Sequence, residues 1–241
     1  RDLVALYAAG TGSGSFYREV ARTADCAPED VVAGDLVLYN NQPGTVWGPE
    51  GEFVSAPRLD DLACVFACTE GFLTAQERDM VPVLCVFDNE EIGSETKQGA
   101  ASVFLPETLA AISEALGLSA VDHRALLADS MMLSCDNGHA RHPNHPELAD
   151  TNEAPVPNGG VVVKHSPRYA TDGVSAAVFT ELCRRAEVPV QHYANRPDQM
   201  GGATLGNIAD TKLPIPTVDI GMAQLAMHSC FETMGSRDVE T

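Results

Sequence analysis

The sequence predicts an α/β domain in which helices cover both faces of a mixed central sheet. Short apolar runs rich in Val and Ile alternate along the chain with segments whose apolar residues recur at helical spacing. This alternation is typical of layered α/β/α domains. Several of the apolar runs are followed by carboxylate or histidine side chains, and ligand sites in such folds form at the C-terminal ends of strands.

The composition fits a globular domain and excludes some partners. Hydrophobic residues make up 44% of the 241 residues, which is enough to bury a core. The net charge of −19 disfavours nucleic acids and anionic membranes as partners. No apolar run approaches the ~20 residues of a membrane helix, and no export signal is visible. Seven scattered cysteines indicate free thiols in a reducing compartment, so we expect a cytoplasmic protein.

Up to residue 90 the chain contains three predicted strands, a short helical stretch within residues 1–41 and one longer helix. DLVLYN (35–40) alternates like a strand, and the Pro- and Gly-rich stretch 40–51 predicts a loop before a strand at EFVSA. Apolar spacing predicts a helix from Asp61 to about Arg78. VPVLCVF (81–87) is a short, continuous apolar run, which favours a buried central strand. A loop that begins with DNEE is expected at its C-terminal end.

The rest of the chain continues the alternation of helices and strands. A helix is predicted through SVFLPETLAAISEAL, limited by Pro106, and an irregular segment covers 137–158. Thr171 or Asp172 is a suitable cap for a helix through Leu182, and another helix follows GGATLG. Strands are predicted at MMLSCD, VVVK, VPVQHY and IPTVDIG.

The segment DNEEIGS concentrates negative charge directly after the predicted strand 81–87. Asp88, Glu90 and Glu91 place three carboxylates within four positions. Such groups in a cleft repel each other, and a divalent cation removes that cost. One glutamate is then suited to ligate metal while the other activates a water as general base. The alternative is an acidic turn exposed to solvent.

Other candidate ligands occur at three further places in the sequence. Asp60 or Asp61 is suited either to cap a helix or to bridge two metals. Asp136 ends a predicted strand and precedes three histidines, which fit zinc ligation, a surface cluster or a structural site. His228 lies in an apolar setting, where a structural role is the alternative. The three histidines are His139, His142 and His145.

Together these residues suit a two-zinc centre. Carboxylate and imidazole ligands are those zinc takes in such centres, which hold metals ~3.5–4 Å apart. The chain contains no GxSxG, no Walker loop and no GxGxxG after a strand.

Six ordered motifs resemble those of the aspartyl aminopeptidases, a family of dizinc exopeptidases. The likeness runs from about Asp35 to Asp238. The motifs are PRLDDLA, VFDNEEIGS with QGAAS, DNGHARHPNHPE, VKHSPRYATDG, NRPDQMGGATLGNIA and VDIGMAQLAMHSCFE.

The resemblance implies a role for each candidate residue. Asp60 is expected to bridge two zinc ions, Glu91 and His228 to complete one zinc site, and Asp136 to belong to the other. Glu90 is expected to be the general base. Four residues are expected near the substrate: Lys164 for an acidic side chain, His139 and His142 beside the site, and Gly202 in the turn that lines the pocket.

The resemblance also implies that the chain is part of a longer protein. The family has a further zinc-ligating His in an early HxDSP-type motif, which this sequence lacks. We expect residues 1–41 to be the tail of an inserted lid and oligomerisation domain. Residues 42–241 are expected to be the C-terminal part of a zinc-exopeptidase-like catalytic domain whose N-terminal portion is missing.

The expected activity is removal of N-terminal Asp or Glu residues from peptides by a homo-oligomer, which is a dodecamer in the family. Mn or Co are possible substitutes for zinc. Two alternatives stay open: an aminopeptidase that prefers neutral residues, and a catalytically incomplete fragment that lacks one zinc-ligating His.

Overall fold

The computed structural model describes residues 5–10, 12–76, 79–199 and 201–240. The described residues cluster into two compact units, divided between Asn41 and Gln42. The assignment of the first unit to an inserted domain stays a prediction.

The described residues of the first unit contain one α-helix. α1 spans Ser15–Thr23 and follows Gly14, which adopts a positive φ of 76°. A short 3-10 turn at Pro28–Asp30 comes next. Residues 31–41 form no regular structure, and the apolar side chains of Leu36 and Val37 are exposed.

The second unit alternates helices and strands. Its helices are α2 (Leu59–Thr74), α3 (Phe104–Ala115), α4 (Ala120–Ala128), α5 (Gly173–Ala186) and α6 (Leu205–Asp210). Its strands are β1 (Thr45–Trp47), β2 (Phe53–Ala56), β3 (Met132–Cys135), β4 (Gly138–His139), β5 (Val161–His165), β6 (Val190–Ala194), β7 (Thr217–Gly221), β8 (Ala223–Leu225) and β9 (Glu232–Gly235).

These strands form two mixed sheets rather than one. The first has the order β1-β2-β9-β8-β4, and the second has the order β3-β7-β5-β6. In the second sheet β5 pairs parallel to β6 and antiparallel to β7, while β3 pairs parallel to β7. The single central sheet of the prediction is therefore divided, and its mixed character is confirmed.

The core lies on both faces of β5. Val161 and Val163 pack with Phe179 of α5 on one face, and Val162 packs with Ala223 on the other. Successive strand residues point to opposite faces, so a continuous valine run fits a strand covered on both sides. The predicted layered architecture is confirmed in this part of the chain.

Most elements follow the sequence prediction. Strands β2, β3, β5, β6 and β7 and helices α2, α3, α5 and α6 occur where they were expected. Pro106 lies in the first turn of α3, where proline is tolerated because the N–H groups of that turn have no partner within the helix. Asp172 caps α5 through the backbone N–H groups of Val174 and Ser175. α2 ends at Thr74, and the predicted end near Arg78 lies outside the described residues.

Two predicted strands are wrong. VPVLCVF (81–87) has no strand assignment, and Val81 and Val83 are exposed. DLVLYN (35–40) is likewise irregular and exposed. Each has the apolar composition of a strand, but a strand also needs a neighbouring strand to bond, and neither segment joins the two sheets of the described residues.

The prediction also missed several elements. β1 lies within the predicted loop 40–51, and α4, β8 and β9 were not expected. β8 and β9 form an antiparallel pair whose connecting loop carries His228. None of the helices in the described parts of the chain combines the length and the hydropathy needed to span a membrane.

Candidate metal centre

A cavity of about 650 Å³ lies in the second unit, and all nine predicted site residues line it. It is enclosed by the N-terminus of α2, the DNEEIGS turn, the C-terminal ends of β3 and β5, and the β8–β9 loop. The nine residues are Asp60, Glu90, Glu91, Asp136, His139, His142, Lys164, Gly202 and His228.

The first group of possible metal ligands joins Asp60, Glu91 and His228. His228 Nε2 lies 3.2 Å from Asp60 Oδ2 and 3.2 Å from Glu91 Oε2. All three ligand atoms lie within 4.8 Å of one another. Bonds of 2.0–2.1 Å around a tetrahedral zinc would set neighbouring ligand atoms about 3.3 Å apart. The spacing of the group therefore fits zinc.

A second group contains only carboxylates and shares a member with the first. Its residues are Asp60, Asp61 and Asp136, whose ligand atoms also lie within 4.8 Å of one another. Asp60 belongs to both groups, which is the arrangement a carboxylate between two metals requires. No histidine from the described parts of the chain belongs to this second group.

Burial and neighbouring charges raise the pKa of three carboxylates of the site. Burial, followed by the charges of Asp136 and Glu91, raises the pKa of Asp60 to about 7. Burial raises the pKa of Asp61 to about 8, and burial with the charge of Asp136 raises the pKa of Glu90 to about 6. Without a cation, several of these groups would hold protons near neutral pH.

The donor set fits a divalent metal. Asp60 has a side-chain exposure of 4%, and its Oδ1 atom is buried without a hydrogen-bond partner among the described residues. A buried carboxylate oxygen of this kind is costly unless something neutralises it. Carboxylate oxygens with one imidazole nitrogen are ligands that zinc accepts.

Local backbone structure directs these side chains into the cavity. α2 begins irregularly, since Asp60 and Asp61 have non-helical dihedral angles and Arg58 adopts a positive φ of 60°. Asp136 directly follows β3, and its N–H donates to the carbonyl of Ile220 on β7. The glutamates lie in a tight turn closed by hydrogen bonds from Gly93 N to Glu90 O and from Ser94 N to Asn89 O.

Lys164 lies at the floor of the cavity with an exposure of 2%. Its ammonium donates to Asp136 Oδ2 at 2.9 Å and to the carbonyl of Asn137 at 3.1 Å. Burial alone lowers the pKa of Lys164, but the charge and hydrogen bond of Asp136 outweigh that effect and raise the pKa above its usual value. The ammonium is therefore charged and paired with a candidate ligand.

The remaining predicted residues line the cavity outside both ligand groups. Burial, followed by the charges of His228 and Lys164, lowers the pKa of His139, which favours the neutral ring. The ring of His142 packs against that of His145 at 5.4 Å. Gly202 has open space where a side chain would begin. Their proposed contacts with substrate stay predictions.

Sequence reasoning missed two residues that connect the segments of the site. Asn137 donates to the Leu59 carbonyl and to Gln224, and its Oδ1 atom accepts from Cys64. The carboxylate of Glu232 accepts hydrogen bonds from two backbone N–H groups beside the cavity. Asn137 stands next to a candidate ligand and Glu232 stands within the last quoted motif, but nothing in the sequence indicates which segments they join.

Comparison with known proteins gives consistent matches. Residues 11–241 match the family model described as Aminopeptidase I zinc metalloprotease (M18). A Mycobacterium leprae protein named Probable M18 family aminopeptidase 2 is 41% identical over 241 residues, covering 99% of this chain and 57% of its own length.

Solved structures agree with the sequence comparison. Yeast aminopeptidase 1 (Ape1) superimposes with a TM-score of 0.83 at 36% identity, over 93% of this chain and 53% of the other. The S. cerevisiae mApe1 dodecamer superimposes with a TM-score of 0.81 at 34% identity, over 93% and 52%. The chain thus spans little more than half the length of each of these three proteins.

Proposed function

This chain belongs to the aminopeptidase I (M18) family of zinc metalloproteases, and from that premise we propose that its protein removes N-terminal residues from peptides. Zinc held at Asp60, Glu91 and His228 would serve this reaction, and a second zinc at Asp60 and Asp136 would join it.

One observation carries the proposal. Two groups of ligand-type side chains share Asp60, and Glu90 lines the same cavity while belonging to neither group. A general base needs this position, because its carboxylate must contact the attacking water and must not itself be bound to the metal.

Glu90 and Lys164 would have different roles in the reaction. Zinc, when bound, supplies Lewis acidity that lowers the pKa of water and polarises a carbonyl. Glu90 would accept the proton of the attacking water at its carboxylate and return it to the leaving amine. Burial, the largest cause, raises the pKa of Glu90 above its usual value, which favours the return of the proton. Lys164 would hold the Asp136 carboxylate in place through their ion pair.

A preference for Asp or Glu at the peptide N-terminus is proposed from Lys164. An ammonium in an enclosed cavity attracts a carboxylate, because few waters screen the interaction. Lys164 lines the cavity beside Asp136, and a metal on Asp136 would neutralise that carboxylate and leave the ammonium to attract an acidic substrate side chain. A preference for neutral residues is the alternative.

The assembly and the location of the protein are likewise proposed. One of the matched structures is a dodecamer, and a homo-oligomer is proposed here from that likeness. A cytoplasmic location remains a prediction from the seven cysteines, all of which are free thiols.

A second candidate function is favoured by the all-carboxylate group. Because it contains no histidine from the described residues, this chain by itself would hold zinc firmly only at the group containing His228. Such a chain would bind one metal and turn over no substrate.

The test is a pair of substitutions in the acidic turn. Glu90→Gln is expected to lower hydrolysis of Asp- and Glu-derived chromogenic amides by about 10²- to 10⁴-fold, since it removes the base, while zinc content stays unchanged. Glu95→Gln, an exposed neighbour outside the cavity, is the matched control. Equal activity in Glu90→Gln and the unaltered chain would refute the role of Glu90. One zinc per chain with no hydrolysis would favour the second candidate.

A further inference from the structure

Glu232 connects the two segments that carry the first ligand group. It is the first residue of β9 and has an exposure of 2%. Its Oε2 atom accepts a hydrogen bond from the backbone N–H of Asp60 at 2.9 Å. Its Oε1 atom accepts one from the backbone N–H of His228 at 2.7 Å. Both oxygens of one carboxylate are therefore committed to the backbones of two candidate ligands.

The position of His228 depends on few other constraints. Its side chain is 62% exposed, so packing does little to fix it. Its backbone has a φ of 63°, and that of Ala226 is 57°, in the left-handed region that residues with side chains enter at a cost. Such a conformation persists only where the surroundings hold it, and the Glu232 carboxylate is one such restraint.

We propose that Glu232 is a positioning residue for the zinc held by Asp60, Glu91 and His228. By fixing the two backbones on one buried carboxylate, it sets His228 Nε2 and Asp60 Oδ2 at a separation that suits a shared metal. Its negative charge lies behind two ligand residues and adds to the attraction for a cation. Residues behind metal ligands commonly act in this way. The inference rests on the proposed zinc function.

The alternative is that Glu232 only stabilises the β-sheet around it. Thr233 provides a control for that role, because it is the next residue of β9 and pairs with Ser55 of β2. The hydroxyl groups of Thr233 and Ser55 lie 2.6 Å apart. Thr233→Val removes a hydrogen bond from the same strand pair without touching Asp60 or His228.

The experiment measures zinc affinity by competition with a chromogenic chelator, using the full chain. Glu232→Gln keeps the shape of the side chain but turns one acceptor oxygen into an NH₂ donor, so one backbone N–H loses its partner. We expect zinc affinity to fall by about 10- to 100-fold, with an altered visible spectrum of the Co²⁺-loaded protein. Thr233→Val is expected to leave affinity and spectrum unchanged.

Two outcomes would overturn the inference: unchanged zinc affinity in Glu232→Gln, or an equal loss of affinity in Thr233→Val. If circular dichroism shows that Glu232→Gln does not fold, Glu232→Asp replaces it. That variant keeps the negative charge, but its side chain is too short to accept hydrogen bonds from both backbones. Unchanged zinc affinity in Glu232→Asp, or an equal loss in Thr233→Val, would again overturn the inference. An unaltered chain that binds no zinc would instead remove the proposed function, and this inference with it.

Discussion

The sheet side of the cavity, with Asp136 and Lys164, is buried, whereas the loop side, with Glu91 and His228, is largely exposed. The sheet side is formed by the same packing that forms the core, since Lys164 lies on β5 and Asp136 directly follows β3. The loop side depends on a tight turn and on the β8–β9 loop. We expect substitutions on the sheet side to reduce both stability and metal binding, and those on the loop side to reduce metal binding alone.

Asp60 joins the two sides, so its loss is expected to have the largest effect. Asp60→Ala removes the carboxylate that both ligand groups share. Zinc affinity should fall by more than about 100-fold, which exceeds the loss typical for residues that only contact the ligands. Metal analysis after gel filtration measures this. Asp88→Ala, in the same acidic run as the glutamates but outside the cavity lining, is the control and should retain its zinc.

Lys164→Met tests the sheet side and should cause the largest loss of stability. It leaves the Asp136 carboxylate without its buried partner, which costs about 3–5 kcal/mol in the free energy of unfolding. Urea unfolding of the metal-free chain measures this. Any preference for acidic over neutral substrates should also be lost.

A matched exposed ion pair shows whether burial is the cause. Arg184→Met breaks the pair with Glu181 on the surface of α5 and should leave unfolding unchanged. If both substitutions had the same effect, burial would not explain the importance of Lys164. Acidic preference that survives intact in Lys164→Met would refute the specificity proposal.

Gly221→Ala probes the backbone beneath Asp136. A Cβ atom at Gly221 would lie 1.9 Å from the carbonyl oxygen of Asp136, so β7 and the end of β3 would have to separate. We expect a loss of about 1–3 kcal/mol in stability and weaker zinc binding. In Gly173→Ala, where a Cβ meets nothing within 4 Å, neither quantity should fall. A stable Gly221→Ala variant with normal zinc binding would contradict the close packing described here.

His228→Ala tests the loop side and should have the smallest effect on stability. The side chain is exposed, so the free energy of unfolding of the metal-free chain should change by less than about 0.5 kcal/mol. Zinc affinity should nevertheless fall, because the first group loses its imidazole. His142→Ala, in the cavity but outside both groups, should leave zinc affinity unchanged. A marked loss of stability in His228→Ala would remove the contrast between the two sides.

Two apolar runs that were both predicted as buried strands differ in the structure. The run VVVK is apolar on both faces and is buried as β5. VPVLCVF has a similar apolar run, but its valines are exposed and no strand in the described residues pairs with it. An apolar composition indicates that a segment tends to be buried. A buried strand also needs a neighbouring strand, because its backbone N–H and C=O groups lose their hydrogen bonds to water.

The sequence by itself determined the chemistry available to this protein. Its ordered motifs identify the family, and they contain every residue of the first ligand group together with Glu90. The sequence supplies this much because the motifs fix which carboxylates and imidazoles are available, whatever elements carry them.

Only the tertiary structure decided how these residues are held. The sharing of Asp60 between two groups, the entry of Asp61 into one of them, and the pairing of Lys164 with Asp136 depend on distances across elements. The hydrogen bonds of Asn137 and Glu232 join segments far apart in the chain. Local sequence patterns do not encode such contacts, because they form only when the packed sheets and α2 bring those segments together.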